Sequence, residues 1–180
     1  GKKMSRRIGR ILAFQALYSW SVGGVPQEDL TTFSWIERDS SEDADAQGDE
    51  VEAMDGEIPS DGVKYCLQDK QLELFEKLSP DKKQEIFAFA TLLIRGTLEH
   101  IDEVDALIKS HLSAKWSMDR INKVALSVIR MSVYSLLYQK DTHSSVIIDE
   151  AVEIVKDYGA DDSHKFTNAV LDKISKDIAK

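Results

Sequence analysis

Apolar residues recur at intervals of three and four along most of this chain, the spacing that places them on one face of an α-helix. Ile101, Val104 and Ile108 show the pattern, and Ser79-Pro80 has the capping residue and first-turn proline of a helix start. Alternating strand patterns are absent. The sequence therefore predicts an all-α fold of about seven helices. One of them starts at Pro26, and another covers about 63–78.

Charge is distributed unevenly along the 180 residues. The formal net charge is −9, but residues 28–62 alone contribute −12, which leaves the rest of the chain at +3. The stretch 39–62 is also rich in Ser, Gly and Asp, so it has too little apolar surface to offset its ordering entropy. We interpret it as a flexible acidic insert. The first ten residues carry +5 and no acid, and this asymmetry is typical of proteins with a polyanionic partner.

Several classes of site lack their sequence signatures. There is no glycine-rich phosphate loop, and the single cysteine, Cys66, fits a reducing cytoplasm and excludes a disulfide framework. The four histidines are dispersed without metal-ligand spacing. Neither a signal peptide nor a membrane-spanning run is expected. Glu150 and Glu153 could pair for acid–base chemistry, but a solvated helix face explains them better.

Three arginines near the N-terminus carry the clearest functional signal. Arg6 and Arg10 are four residues apart, and Arg7 and Arg10 are three apart, so a helix would present all three guanidinium groups from one side. They are also close to a helix N-terminus, where free N–H groups favour phosphate. Two interpretations remain open: a solubilising basic start, or an arginine-rich arm for RNA.

Three segments carry a family resemblance. RIGRILAFQALYSW (7–20), VIRMSVYSLL (128–137) and VIIDEAVEIVKDYGADDSHKFTNAVLDKI (146–174) resemble the NusB family of bacterial transcription antitermination factors. The resemblance implies two packed helical subdomains, about 5–78 and 79–178. It implies no enzymatic activity and no cofactor. It also implies binding of single-stranded boxA RNA together with the ribosomal protein NusE, within the antitermination complex on RNA polymerase.

The resemblance also assigns residues. By position, the basic arm consists of Lys3, Arg6, Arg7 and Arg10, and a second group near the RNA consists of Asp162, Lys165 and Phe166. Phe166 could stack on an unpaired base or simply pack in the core. The positions carried over for the ribosomal partner are Tyr18, Val22, Met118 and Asp119. Tyr18 could equally belong to the core.

The sequence departs from the family at Ala125-Leu126, where an acidic–basic pair is common and the acid contributes to the partner interface. Two other function classes stay open. One is an RNA-binding accessory module like that of ribosomal RNA cytosine methyltransferases, although no methyl-donor segment is expected in a chain that ends at Lys180. The other is a protein-interaction scaffold without RNA binding.

Overall fold

The structure is a computed structural model that describes residues 2–33, 36–38, 63 and 65–180. Its seven α-helices are α1 (Lys2–Gly23), α2 (Asp69–Glu76), α3 (Pro80–Glu99), α4 (Ile101–Ser110), α5 (Lys123–Tyr138), α6 (Ser144–Tyr158) and α7 (Ser163–Ile178). Two strands, β1 (Ile36–Arg38) and β2 (Tyr65–Leu67), form a parallel pair. Short 3-10 turns cover Gln27–Asp29 and Met118–Arg120. The predicted all-α class is confirmed.

Helix α5 is at the centre of the bundle. It packs against α1, α3, α4, α6 and α7, and α1 packs in turn on α3. Burial on all sides explains why α5 is apolar over more than one face; even Ser132 is 3% exposed, with its hydroxyl donating to the Val128 carbonyl. The result is one continuous apolar core, which holds the N-terminus of α1 beside α3 and α6.

Helix boundaries follow local capping chemistry where the sequence signals are strong. The Lys82 N–H donates to Ser79 Oγ at 3.3 Å, as expected at the start of α3. Helix α5 is capped by Asn122, whose side-chain oxygen accepts from the Ala125 N–H at 3.1 Å. Asp119 belongs to the preceding 3-10 turn.

The region between α1 and α2 differs from the prediction. The helix expected at Pro26 is only a 3-10 turn, and Phe33, whose φ is 45°, takes a left-handed conformation incompatible with a continuing helix. The segment 63–78, predicted to be one helix, instead forms strand β2 followed by the shorter helix α2. Gln15 of α1 holds that strand extended, because its side chain bonds both the N–H and the carbonyl of Cys66, at 2.9 and 2.7 Å.

The structure leaves untested the predictions of an acidic insert and of two subdomains. The acidic insert 39–62 lies outside the described residues. The division into two subdomains stays a prediction. No helix in the described part of the chain is long and apolar enough to cross a membrane.

Candidate nucleic-acid interface

The basic residues at the start of α1 differ sharply in exposure. Lys2, Lys3 and Arg6 are exposed, whereas Arg7 is half-buried and Arg10 is buried. The sequence predicted that Arg6, Arg7 and Arg10 would point to solvent from one side. The structure instead leaves Lys2, Lys3 and Arg6 as the accessible cations, which we call the α1 cationic surface.

Arg7 and Arg10 converge on a carboxylate from α6. Arg7 Nε and a terminal nitrogen donate to the two carboxylate oxygens of Glu150, at 2.9 and 2.8 Å, and Arg10 approaches one of them at 4.0 Å. The bidentate geometry fixes Arg7 against α6. The expectation that Glu150 belongs to a solvated face is therefore wrong. Its side chain is only 4% exposed.

These contacts shift the ionisation of all three groups. Burial alone would raise the pKa of Glu150, but the hydrogen bonds and charge of Arg7, with the charges of Arg10 and Lys3, bring that pKa below its usual value. The bond to Glu150 raises the pKa of Arg7 despite partial burial. Burial lowers the pKa of Arg10, because the charge of Glu150 offsets only part of the desolvation. The cluster therefore pairs a half-buried and a buried arginine with one buried carboxylate.

Phe89 of α3 supports the remaining arginine. The Arg6 guanidinium carbon is 4.2 Å from the centre of the Phe89 ring, and that of Arg10 is 5.4 Å away. Both distances are typical of cation–π contacts. The ring can approach α1 so closely because residue 9 is glycine: a Cβ there would lie 2.6 Å from Phe89 Cδ1. Gly9 and Phe89 thus position Arg6 on the surface.

A second cluster forms where α6 meets α7. Asp162 has a φ of 63° and precedes α7 without a side-chain capping bond; it pairs instead with Lys165 at 3.4 Å, and both side chains are exposed. Phe166 is half-buried, and its ring centre is 5.7 Å from that of Trp116. Trp116 is 50% exposed. Phe166 therefore combines core packing with a place in a surface aromatic pair, and the sequence analysis did not single out Trp116.

The cluster around Glu150 and the cluster around Asp162 lie at different positions along the axis of α6. Arg7 contacts Glu150 in its first half, whereas Asp162 follows its C-terminus. From Glu150 to Tyr158 alone the axis rises about 12 Å. A ligand that contacts both clusters would have to span a distance of this order.

The residues predicted for the ribosomal partner are accessible. Tyr18 and Val22, near the C-terminus of α1, are 36% and 52% exposed, so Tyr18 is not a core residue. Asp119 is exposed and Met118 is half-buried in the 3-10 turn before α5.

A network braces the end of α1 that carries Tyr18 and Val22. Arg130 of α5 donates to both carboxylate oxygens of Asp105, at 2.9 and 3.0 Å, and contacts the Ser21 hydroxyl at 3.5 Å. Its guanidinium also lies 5.9 Å from the Trp20 ring. This network fixes the last turns of α1 relative to α4 and α5.

The altered pair Ala125-Leu126 belongs to the core. The two residues are 1% and 3% exposed. The partner contact that the resemblance assigns to an acid at this position is therefore either lost in this chain or made by other residues. No cluster of three or more metal-ligating side chains occurs among the described residues.

Comparison with known proteins agrees with this architecture. The NusB family model matches residues 60–176. The Transcription antitermination protein NusB of Treponema denticola is 39% identical over 95% of this chain and 96% of its own length. Among solved structures, NusB of T. maritima is 30% identical, covers 95% of this chain and 90% of its own, and superposes with a TM-score of 0.62.

A further structure supports the fold alone. It is described as a crystal structure of antitermination factors NusB and NusE in complex with dsRNA. It is 22% identical, covers 96% of this chain and 97% of its own, and has a TM-score of 0.63. The sequence match over nearly the full length of both chains and the shared helical architecture show that this chain belongs to the NusB family.

Proposed function

We propose that this protein is a cytoplasmic transcription antitermination factor that binds single-stranded boxA-type RNA together with the ribosomal protein NusE, within the antitermination complex on RNA polymerase. It acts by binding and is not an enzyme. The relatives that support this function are named transcription antitermination proteins, and one crystallised neighbour is a complex of NusB and NusE with dsRNA.

The observation that carries the proposal is the α1 cationic surface. Lys2, Lys3 and Arg6 are exposed on the first turns of one helix, and the contact with Phe89 favours one placement of the Arg6 guanidinium. A cation fixed in advance loses less conformational entropy when it binds a phosphate. Cations alone position a backbone without reading its sequence, so specificity falls to base contacts and to the partner.

The second cluster supplies groups suited to base contacts. Phe166 and Trp116 offer aromatic surface, and Lys165 offers a cation. We assign Asp162, Lys165 and Phe166 to the RNA, and Tyr18, Val22, Met118 and Asp119 to the ribosomal partner. Two partner positions and the cationic surface are at opposite ends of α1, so both ligands can bind together.

The test is a fluorescence-anisotropy titration of boxA-type RNA, a scrambled RNA and a duplex, each with and without NusE. The expected result is tighter, sequence-dependent binding of the single strand when NusE is present. Equal affinity for boxA and scrambled RNA in both conditions would contradict the proposal and favour a protein-interaction scaffold.

The salt dependence of binding tests the cationic surface itself. Because Arg7 and Arg10 are engaged by Glu150, about three cations of α1 remain for phosphates, and they should contribute about −2 to the slope of log K against log[salt]. The variant Lys3→Gln/Arg6→Gln should make the slope less negative by about 1.4. The matched control Lys109→Gln/Lys173→Gln removes two exposed cations from α4 and α7 and should leave it unchanged. An unaltered slope in the first variant would refute the role of α1.

A further inference from the structure

An open groove with an apolar floor adjoins the α1 cationic surface. Its volume is about 680 Å³, and it runs between the start of α1, the end of α2 and the exposed side of α3. Its apolar lining includes Leu74, Leu78, Phe89 and Leu92, with Ile86 and Ala88 beside them. Leu92 is 49% exposed, so the apolar lining of the groove reaches the molecular surface.

Charges surround this floor asymmetrically. Lys2, Arg6 and Lys82 line the groove, against one carboxylate, that of Glu85. Glu85 is already paired with Lys82 at 3.2 Å. The lining therefore carries a net charge of about +2, which favours a ligand that combines an apolar plane with negative charge.

The planar groups in the groove are pre-positioned. Phe89 packs on Gly9 and carries the Arg6 guanidinium 4.2 Å from its ring centre. Unpaired bases in RNA complexes stack on aromatic rings and on arginine guanidinium planes. An apolar protein segment would use the floor but would gain nothing from three cations at the rim.

We propose that this groove, defined by Leu74, Leu78, Phe89 and Leu92, is a subsite for one unpaired nucleobase of the bound RNA. The adjoining phosphates are held by Lys2, Arg6 and Lys82. The proposal rests on the proposed RNA-binding function and extends it to a face of α3 that the family resemblance did not assign.

The test uses Leu92→Gln, which removes apolar contact without changing charge at an exposed position. Leu107→Gln on α4, also incompletely buried but outside the groove, is the matched control. Leu92→Gln should weaken boxA-type RNA binding about fivefold, the lower end of the effect of losing one base contact. The salt slope should stay the same, because no phosphate contact is lost. Leu107→Gln should bind like the wild type.

An abasic scan of the RNA sharpens the test. At one nucleotide position, removing the base should weaken binding to the wild type but not to Leu92→Gln, because both changes delete the same contact. If the wild type binds the RNA and Leu92→Gln binds it with the same affinity, the subsite is overturned while the proposed function stands. The same holds if the loss from Leu92→Gln and the loss from removing a base add at every nucleotide position. A loss of NusE binding instead of RNA binding would assign the groove to a protein. A wild type that binds no RNA would contradict the proposed function and the subsite with it.

Discussion

Glu150 determines how much of the basic N-terminus is available to a ligand. It is buried at 3% exposure yet ionised, because Arg7 binds it with two hydrogen bonds and Arg10 lies 4.0 Å away. In the folded protein it neutralises positive charge that the family resemblance assigns to RNA binding. At the same time it ties α1 to α6. One residue therefore affects both stability and the number of free cations.

Truncating this carboxylate should destabilise the fold. Glu150→Ala leaves Arg7 and Arg10 unpaired in a partly buried site, and we expect a loss of about 2–3 kcal/mol, somewhat below the range for a fully buried pair because Arg7 retains some exposure. Urea unfolding followed by circular dichroism measures it. The control Glu153→Ala, one turn along α6 and exposed, should lose less than about 0.5 kcal/mol. Equal effects of the two variants would contradict this role.

The same carboxylate gives stability a pH dependence of defined sign. The folded pKa of Glu150 is below its usual value of 4.5, so its contribution is present at neutral pH and is lost as the pH falls below about 4.5. The pKa of Asp157 is raised by burial and by Glu153, so protonating it acts in the opposite direction. The urea midpoints of wild type and Glu150→Gln should therefore converge between pH 6 and pH 3. A constant difference would show that folding does not lower the pKa of Glu150.

At the scale of elements, α1 carries a different surface at each end. Its start presents cations, and its last turns present Tyr18 and Val22, braced by Arg130. Twenty-two residues of helix span about 33 Å, enough to separate two ligands.

Because the two surfaces are separate, a substitution in one should weaken binding of NusE or of RNA without affecting the other. Val22→Asp should weaken NusE binding at least tenfold by placing a charge in a desolvated interface, while leaving RNA binding by the isolated protein unchanged. Lys3→Gln/Arg6→Gln should do the reverse. Calorimetric titration with NusE measures the affinity for the protein partner, and fluorescence anisotropy measures the affinity for RNA. Parallel losses of both ligands in either variant would place them on one surface.

The elements also show what the sequence could predict. Ser79-Pro80 marks the start of α3 correctly because capping is a local interaction. Strand β2 could not be predicted, since Gln15, fifty-one residues away, supplies the hydrogen bonds that hold Cys66 extended. Glu150 was misassigned for the same reason: on α6 alone it resembles any solvent-facing acid, and its partners come from α1. Strand β2 and the burial of Glu150 both depend on contacts between residues distant in sequence, which local patterns do not reveal.

The net charge of the whole molecule has the same sign as that of RNA, its proposed ligand. Net charge is −9, yet outside residues 28–62 it is +3. The acidic insert 39–62, which lies outside the described residues, contributes most of the difference. Acids within a screening length of the α1 cationic surface would lower the electrostatic potential that RNA meets on approach. This length is about 10 Å at 0.1 M salt and about 30 Å at 0.01 M.

Deleting residues 39–62 should therefore tighten RNA binding severalfold at 20 mM salt and have little effect at 300 mM. A variant that keeps the segment length but replaces its acids with Asn and Gln should match the deletion, because charge rather than chain length is responsible. If only the deletion tightens binding, the segment acts by occupying space instead. Unchanged affinity in both variants at low salt would show that the rest of the chain determines the potential at the α1 cationic surface.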